Sequence, residues 1–101
     1  MTYSIEQVKE IVEKLQEEED FSWGELKYSD DLEYGDVKLT TVDSHGGEGE
    51  GDSAWIVFRL NDSEQLFMKD GYYASHYGFD WDGDVYEVEK YQRVVDDYRP
   101  V

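Results

Sequence analysis

Apolar residues recur at Ile5, Val8, Val12 and Leu15, with Ile11 beside them, at spacings of three and four. That period puts them on one face of a helix, and it predicts a helix from Ser4 to about Glu18. Ser4 is the expected N-cap, and Gln7 three residues on completes a capping box. Tyr3 and Val8 stand where a hydrophobic staple forms. The opposite face carries Glu6, Glu10, Glu13 and Glu17, flanked by Lys9 and Lys14. The run Glu17, Glu18, Glu19, Asp20 then sets acids against the negative end of the helix dipole.

Beyond the helix the period changes to two. Phe21 to Asp36 carries little periodicity, and Trp23-Gly24 and Tyr34-Gly35 read as turn or bulge points between short extended pieces. Val37 to Val42 reads as a strand, and Asp43 to Asp52, which has no apolar residue, as a mobile loop. Ala54 to Leu60 is the clearest strand, with Ala54, Ile56, Phe58 and Leu60 on one side and Trp55, Val57 and Arg59 on the other. Asn61 to Glu64 is a turn and Gln65 to Lys69 a second strand. Asp70-Gly71 is a two-residue hairpin signal, from which Tyr72 to Tyr77 would return as a third. Gly78 suggests a bulge and Asp82-Gly83 another tight turn. Val85 to Val88 and Gln92 to Asp97 complete the strands, and the single proline, Pro100, follows them. The pattern predicts an α+β domain spanning 1–101: an N-terminal helix packed on an antiparallel β-meander of about five strands.

Composition sharpens this picture. Nine Tyr, four Phe and three Trp are too many aromatics for a disordered chain, so an aromatic core is expected. Twenty-six Asp and Glu face nine Lys and Arg, for a net charge of −17. A domain needing only solubility does well with a net charge of magnitude about 2–8. The excess disfavours direct binding of nucleic acid or an anionic membrane and favours basic protein surfaces or cations. There is no Cys, which excludes disulfides and thiolate metal sites and fits a reducing cytoplasm. The first residues have no basic segment followed by an apolar stretch, so no signal peptide is expected. No apolar run approaches the ~20 residues of a membrane span.

Several clusters invite a chemical reading. Asp80, Asp82 and Asp84, with Glu87, open like a calcium loop, but position six is Val85 and position twelve Tyr91, where an EF-hand needs Gly and Glu. A turn flanked by solvated carboxylates is the simpler reading. His45 and His76 are the only histidines; His76 stands four residues before Asp80, which makes a His–carboxylate metal site conceivable, but a surface His is the plainer account. Ser44-His45 and Ser75-His76 are neighbours in sequence only, and a catalytic triad is a matter of geometry. Gly46 to Gly51 is no phosphate cradle, because a strand follows and Glu48, Glu50 and Asp52 repel phosphate. No catalytic residue, metal ligand or cofactor site is assigned.

The charge layout is more informative. Glu6, Glu10, Glu13 and Glu17 recur about once per turn, roughly 5.4 Å apart along a helix axis. In extended segments, Glu48/Glu50/Asp52, Asp80/Asp82/Asp84 and Glu87/Glu89 space carboxylates by about 6.5 Å on one side. Such rows have the sign of a nucleic-acid backbone and a spacing of the same order, so a groove built to neutralise phosphates could accept them. The bland alternative is that the acids cover solvated faces. Tyr72, Tyr73, Tyr77, Phe79, Trp81 and Tyr86 are interleaved with them, and any left exposed would make interface anchors.

From Gly46 to about Val88 the chain resembles small acidic proteins of bacteriophages, especially those infecting actinobacteria. The likeness lies in Gly-Gly-Glu-Gly-Glu-Gly at 46–51, Trp55-Ile56-Val57-Phe58, Phe67-Met68-Lys69-Asp70-Gly71-Tyr72-Tyr73-Ala74-Ser75, Asp80-Trp81-Asp82-Gly83 and Glu87-Val88. The resemblance implies a phage product acting in the cytoplasm of a bacterial host and transfers no functional residues. By analogy with other acidic phage proteins, it suggests an inhibitor of a host nuclease, restriction enzyme or CRISPR effector. The expected partner is a basic host protein that binds nucleic acid, met by a monomer or small homo-oligomer through Glu6, Glu10, Glu13, Glu17, Glu48, Glu50, Asp80, Trp81, Asp82 and Asp84. The rival expectations are an immunity-type or regulatory protein that binds one partner through aromatics, and a cation-binding accessory protein.

Overall fold

The computed structural model describes residues 2–29, 31–46, 53–74, 78–91 and 97–101. Two helices, α1 (Ile5–Glu18) and α2 (Trp23–Lys27), precede the strands β1 (Asp31–Tyr34), β2 (Val37–His45), β3 (Ser53–Leu60), β4 (Leu66–Ala74), β5 (Gly78–Asp80), β6 (Val85–Tyr91) and β7 (Asp97–Pro100). All pairings are antiparallel, in the order β1-β2-β3-β4-β6-β7, with β5 also on β4. Because β5 and β6 pair in succession with the same strand, they form one interrupted strand of a six-position meander. The fold is α+β, a helix on an antiparallel sheet, as the periodicity predicts.

The helix forms as its sequence dictates. The Ser4 side chain accepts from the Gln7 N–H, and Gln7 accepts from the Ser4 N–H in return. Val8, Val12 and Leu15 are buried against the sheet. Past the C-cap Glu19, Asp20 turns left-handed at φ 56°, which a short polar side chain tolerates, and the chain drops Phe21 into the core.

Each face of the sheet carries its own apolar cluster, which is why β3 is buried on both sides. On the helix side, Ile56, Phe58 and Leu60 pack with Val8, Val12, Leu15, Trp23 and Leu26. On the other side Val57 packs with Met68 and Val88, covered in part by Trp55, Leu66, Tyr86 and Tyr98. The sheet curls to achieve this: Tyr98 of β7 meets the Trp55 ring edge-on at 6.0 Å, and its hydroxyl donates to Asp43 of β2 at 3.3 Å.

Three expectations are corrected. Trp23-Gly24 is the first turn of α2, capped by the Ser22 hydroxyl accepting from the Glu25 N–H; burial of Trp23 and Leu26 decides for a helix too short to show a period. Asp43 to His45 continue β2 past a bulge between Thr41 and Asp43, because cross-strand pairing with Val57, Ile56 and Trp55 outweighs their polarity. Asp70-Gly71 is no hairpin: β4 runs straight through it, so Tyr72 to Ala74 belong to the same strand, and 75–77 lie outside the described residues. The last described strand is Asp97–Pro100; of the strand expected at 92–97, residues 92–96 lie outside the described residues. Gly47 to Asp52 of the expected loop are outside them as well.

Candidate partner-binding surface

The long hairpin of β4 with β5 and β6 contains a wide bulge. Lys69 pairs with Val85 and Tyr72 with Asp80, so Trp81, Asp82, Gly83 and Asp84 stand opposite only Asp70 and Gly71. Bulges of this kind re-aim side chains. The expected tight turn at Asp82-Gly83 is this bulge. Two glycines admit it: a Cβ on Gly71 would come within 2.4 Å of the Trp81 ring, and one on Gly83 within 2.7 Å of Asp70. The Asp70 N–H donates to the Asp84 carbonyl at 3.2 Å, pinning the excursion to β4.

The bulge faces α1 across a groove of about 430 Å³. Glu13, Asp82 and Asp84 border it together with Trp81, and Trp23 and Lys69 lie within its lining. Thus four of the residues singled out by sequence meet at one place. Glu6, Glu10 and Glu17 remain in an exposed row on the outer face of α1, outside this groove. Asp80 is exposed on β5 opposite Tyr72. Glu48 and Glu50 lie outside the described residues.

Lys69, only 8% exposed, organises the groove from within. Its ammonium donates to the Gly83 carbonyl and lies 5.4 Å from the centre of the Trp23 ring. Burial pushes the ammonium below the ordinary lysine range, while Asp84, Asp82 and Asp70 pull it back up and Lys9 adds to the lowering. On the other face of β4, the Tyr86 hydroxyl lies 3.1 Å from the Asp70 carboxylate, and burial with this hydrogen bond raises the phenol to about 12.

An aromatic shelf adjoins the bulge. Trp81 stacks on Phe79 at 5.2 Å and 10°, Tyr73 meets Phe79 at 4.9 Å, and Tyr28 of α2 meets Phe79 edge-on at 6.2 Å. Lys27 lies 5.1 Å from the Tyr28 ring and 5.5 Å from that of Phe79. Tyr28 is 71% exposed, so the outer edge of this aromatic cluster is open to solvent.

Lys69 and Tyr28 are the residues that sequence reasoning missed. Strand parity held a signal for the first, since Lys69 alternates with the core residue Phe67 and so points inward. Tyr28 gave none, because α2 was not legible.

Among the described residues, no group of three or more His, Asp and Glu side chains converges as a metal site. His45 stacks on Trp55 at 5.6 Å, and His76 lies outside the described residues. Among the described residues no helix is long and apolar enough to cross a membrane. No known protein family, curated protein or solved structure matches the chain.

Proposed function

We propose that this chain is an acidic, bacteriophage-encoded binding protein that works in the bacterial cytoplasm. Its target is a basic host protein that handles nucleic acid: a nuclease, restriction enzyme or CRISPR effector. It acts by occupancy rather than catalysis, needs no cofactor, and offers carboxylates where the target expects phosphates. The observation that carries this reading is the pairing of two exposed acid arrays, the α1 row and the bulge, on a molecule of net charge −17. Carboxylates held on a helix and a pinned bulge present their charge without a further cost of ordering the backbone on binding.

A tagged pull-down from host lysate, treated with nuclease and eluted along a salt gradient, tests the reading. The wild type should capture a nucleic-acid-handling protein that elutes steeply with salt and is displaced by DNA. Replacing Glu6, Glu10, Glu13 and Glu17, or Asp80, Asp82 and Asp84, by Lys should abolish capture while circular dichroism shows the fold intact. Undiminished capture after both reversals would sink the proposal.

The aromatic shelf favours a second reading, an immunity-type or regulatory protein that grips one partner through Tyr28 and its neighbours. In that case elution depends weakly on salt, and Tyr28→Ala alone weakens binding at least about tenfold, a change of ~1.4 kcal/mol.

A further inference from the structure

A second groove, of about 350 Å³, lies between the last turns of α1 and the β1–β2 turn. It shares no lining residue with the groove at the bulge. Ile11 and Leu15 of α1 line it with Tyr34 and Val37, which flank the turn. Ile11, Tyr34 and Val37 are half-buried: each packs on the core and leaves part of its surface uncovered. The border is charged and mostly negative, made by Glu18, Glu19, Asp36 and Lys14. Lys14 reaches Glu18 at 3.9 Å with both side chains exposed, a pairing that neutralises little.

The electrostatics of this end are unfavourable to the isolated chain. The last turn of α1 has no basic residue, so Glu17, Glu18, Glu19 and Asp20 crowd the negative end of the dipole. The Tyr34 phenol is raised, first by burial and then by Glu25 and Glu19, so the negative potential reaches the groove lining. Local rules broken this way tend to mark functional places. An apolar groove bordered by uncompensated acids at a helix C-terminus complements one chemistry, an apolar side chain flanked by cations.

We propose that this groove docks a short basic segment of the partner. A leucine-sized side chain seats among Ile11, Leu15, Tyr34 and Val37, and neighbouring Arg or Lys residues lie against Glu18, Glu19, Asp36 and the carboxyl end of α1. The inference rests on the reading that the partner is basic, and it adds an apolar contact that the acid rows lack.

Two capped peptides, Ala-Arg-Leu-Arg-Ala and Ala-Arg-Ser-Arg-Ala, serve as probes against the full chain at about 0.15 M salt, followed by NMR. The leucine peptide should shift the methyl signals of Ile11, Leu15 and Val37 and bind about tenfold tighter than the serine peptide. Replacing Glu18 and Glu19 by Lys should raise the thermal unfolding midpoint of the free protein while lowering leucine-peptide affinity at least about tenfold. A residue that merely stabilised the fold would not move these two readings in opposite directions. Equal binding of the two peptides, shifts confined to the bulge, or unchanged affinity after the reversal overturns the proposal. The wild-type titration decides by itself if the variant fails to fold. The wider reading fails separately, on capture that survives reversal of the α1 and bulge rows.

Discussion

Half-buried Tyr86 and buried Lys69 show how single groups on one strand pair set the chemistry of a surface. The Tyr86 phenol, held by Asp70 and by burial, titrates at about 12 rather than near 10. Its folded pKa lies above the unfolded one, so its stabilising contribution is complete below pH 10 and is lost as pH rises toward 12. Urea denaturation of wild type and Tyr86→Phe at pH 8 should differ by about 1–2 kcal/mol, and the gap should close over that alkaline window. Parallel pH profiles for the two proteins would refute the assignment. Lys69 has the opposite sign, its ammonium disfavoured by burial and retained by the Gly83 carbonyl and the Trp23 ring. Alternation in the sequence gives its direction, inward with Phe67. Its partners come from an α2 helix and a bulge that no local pattern announces, so its role was not legible.

At the scale of elements, the helix was readable because stripe, cap and capping box all agree over 14 residues. The β4–β5–β6 hairpin was misread because Asp-Gly is a turn signal wherever it occurs, and only the tertiary partner says otherwise. Gly71 is present so that the Trp81 ring can lie across the strand. Gly71→Ala should therefore force the ring aside and destabilise the protein by about 1–3 kcal/mol. In a Trp81→Ala background the same change should cost less, since the ring clash is gone and only the Asp80 carbonyl, 2.9 Å from the added Cβ, remains. A double-mutant cycle by chemical denaturation measures this, and additive costs would show that the ring and the glycine are not coupled. The candidate site was half legible in the same sense. Spacing points to Glu13, Asp82 and Asp84, and the interleaving of aromatics with acids to Trp81, but their meeting depends on two extra residues in one strand.

For the molecule as a whole, a net charge of −17 over a radius of gyration of 13.4 Å is a standing repulsion. Screening should relieve it, so the thermal midpoint should climb by several degrees as NaCl rises from about 0.02 to 0.5 M. A midpoint indifferent to salt would mean that the acids are locally compensated. Among the described residues, the ion pairs Lys14–Glu18 at 3.9 Å and Lys38–Asp31 at 3.7 Å are too exposed to compensate much of the charge. The Tyr3 backbone exchanges two hydrogen bonds with the Gln65 side chain, at 2.7 and 3.0 Å across 62 positions, and α1 rests against β6. The apolar stripe of α1 therefore leaves the ribosome well before the strand that covers it. During that interval the like charges of Glu6, Glu10, Glu13 and Glu17 on its other face repel the same helix on neighbouring nascent chains of a polysome.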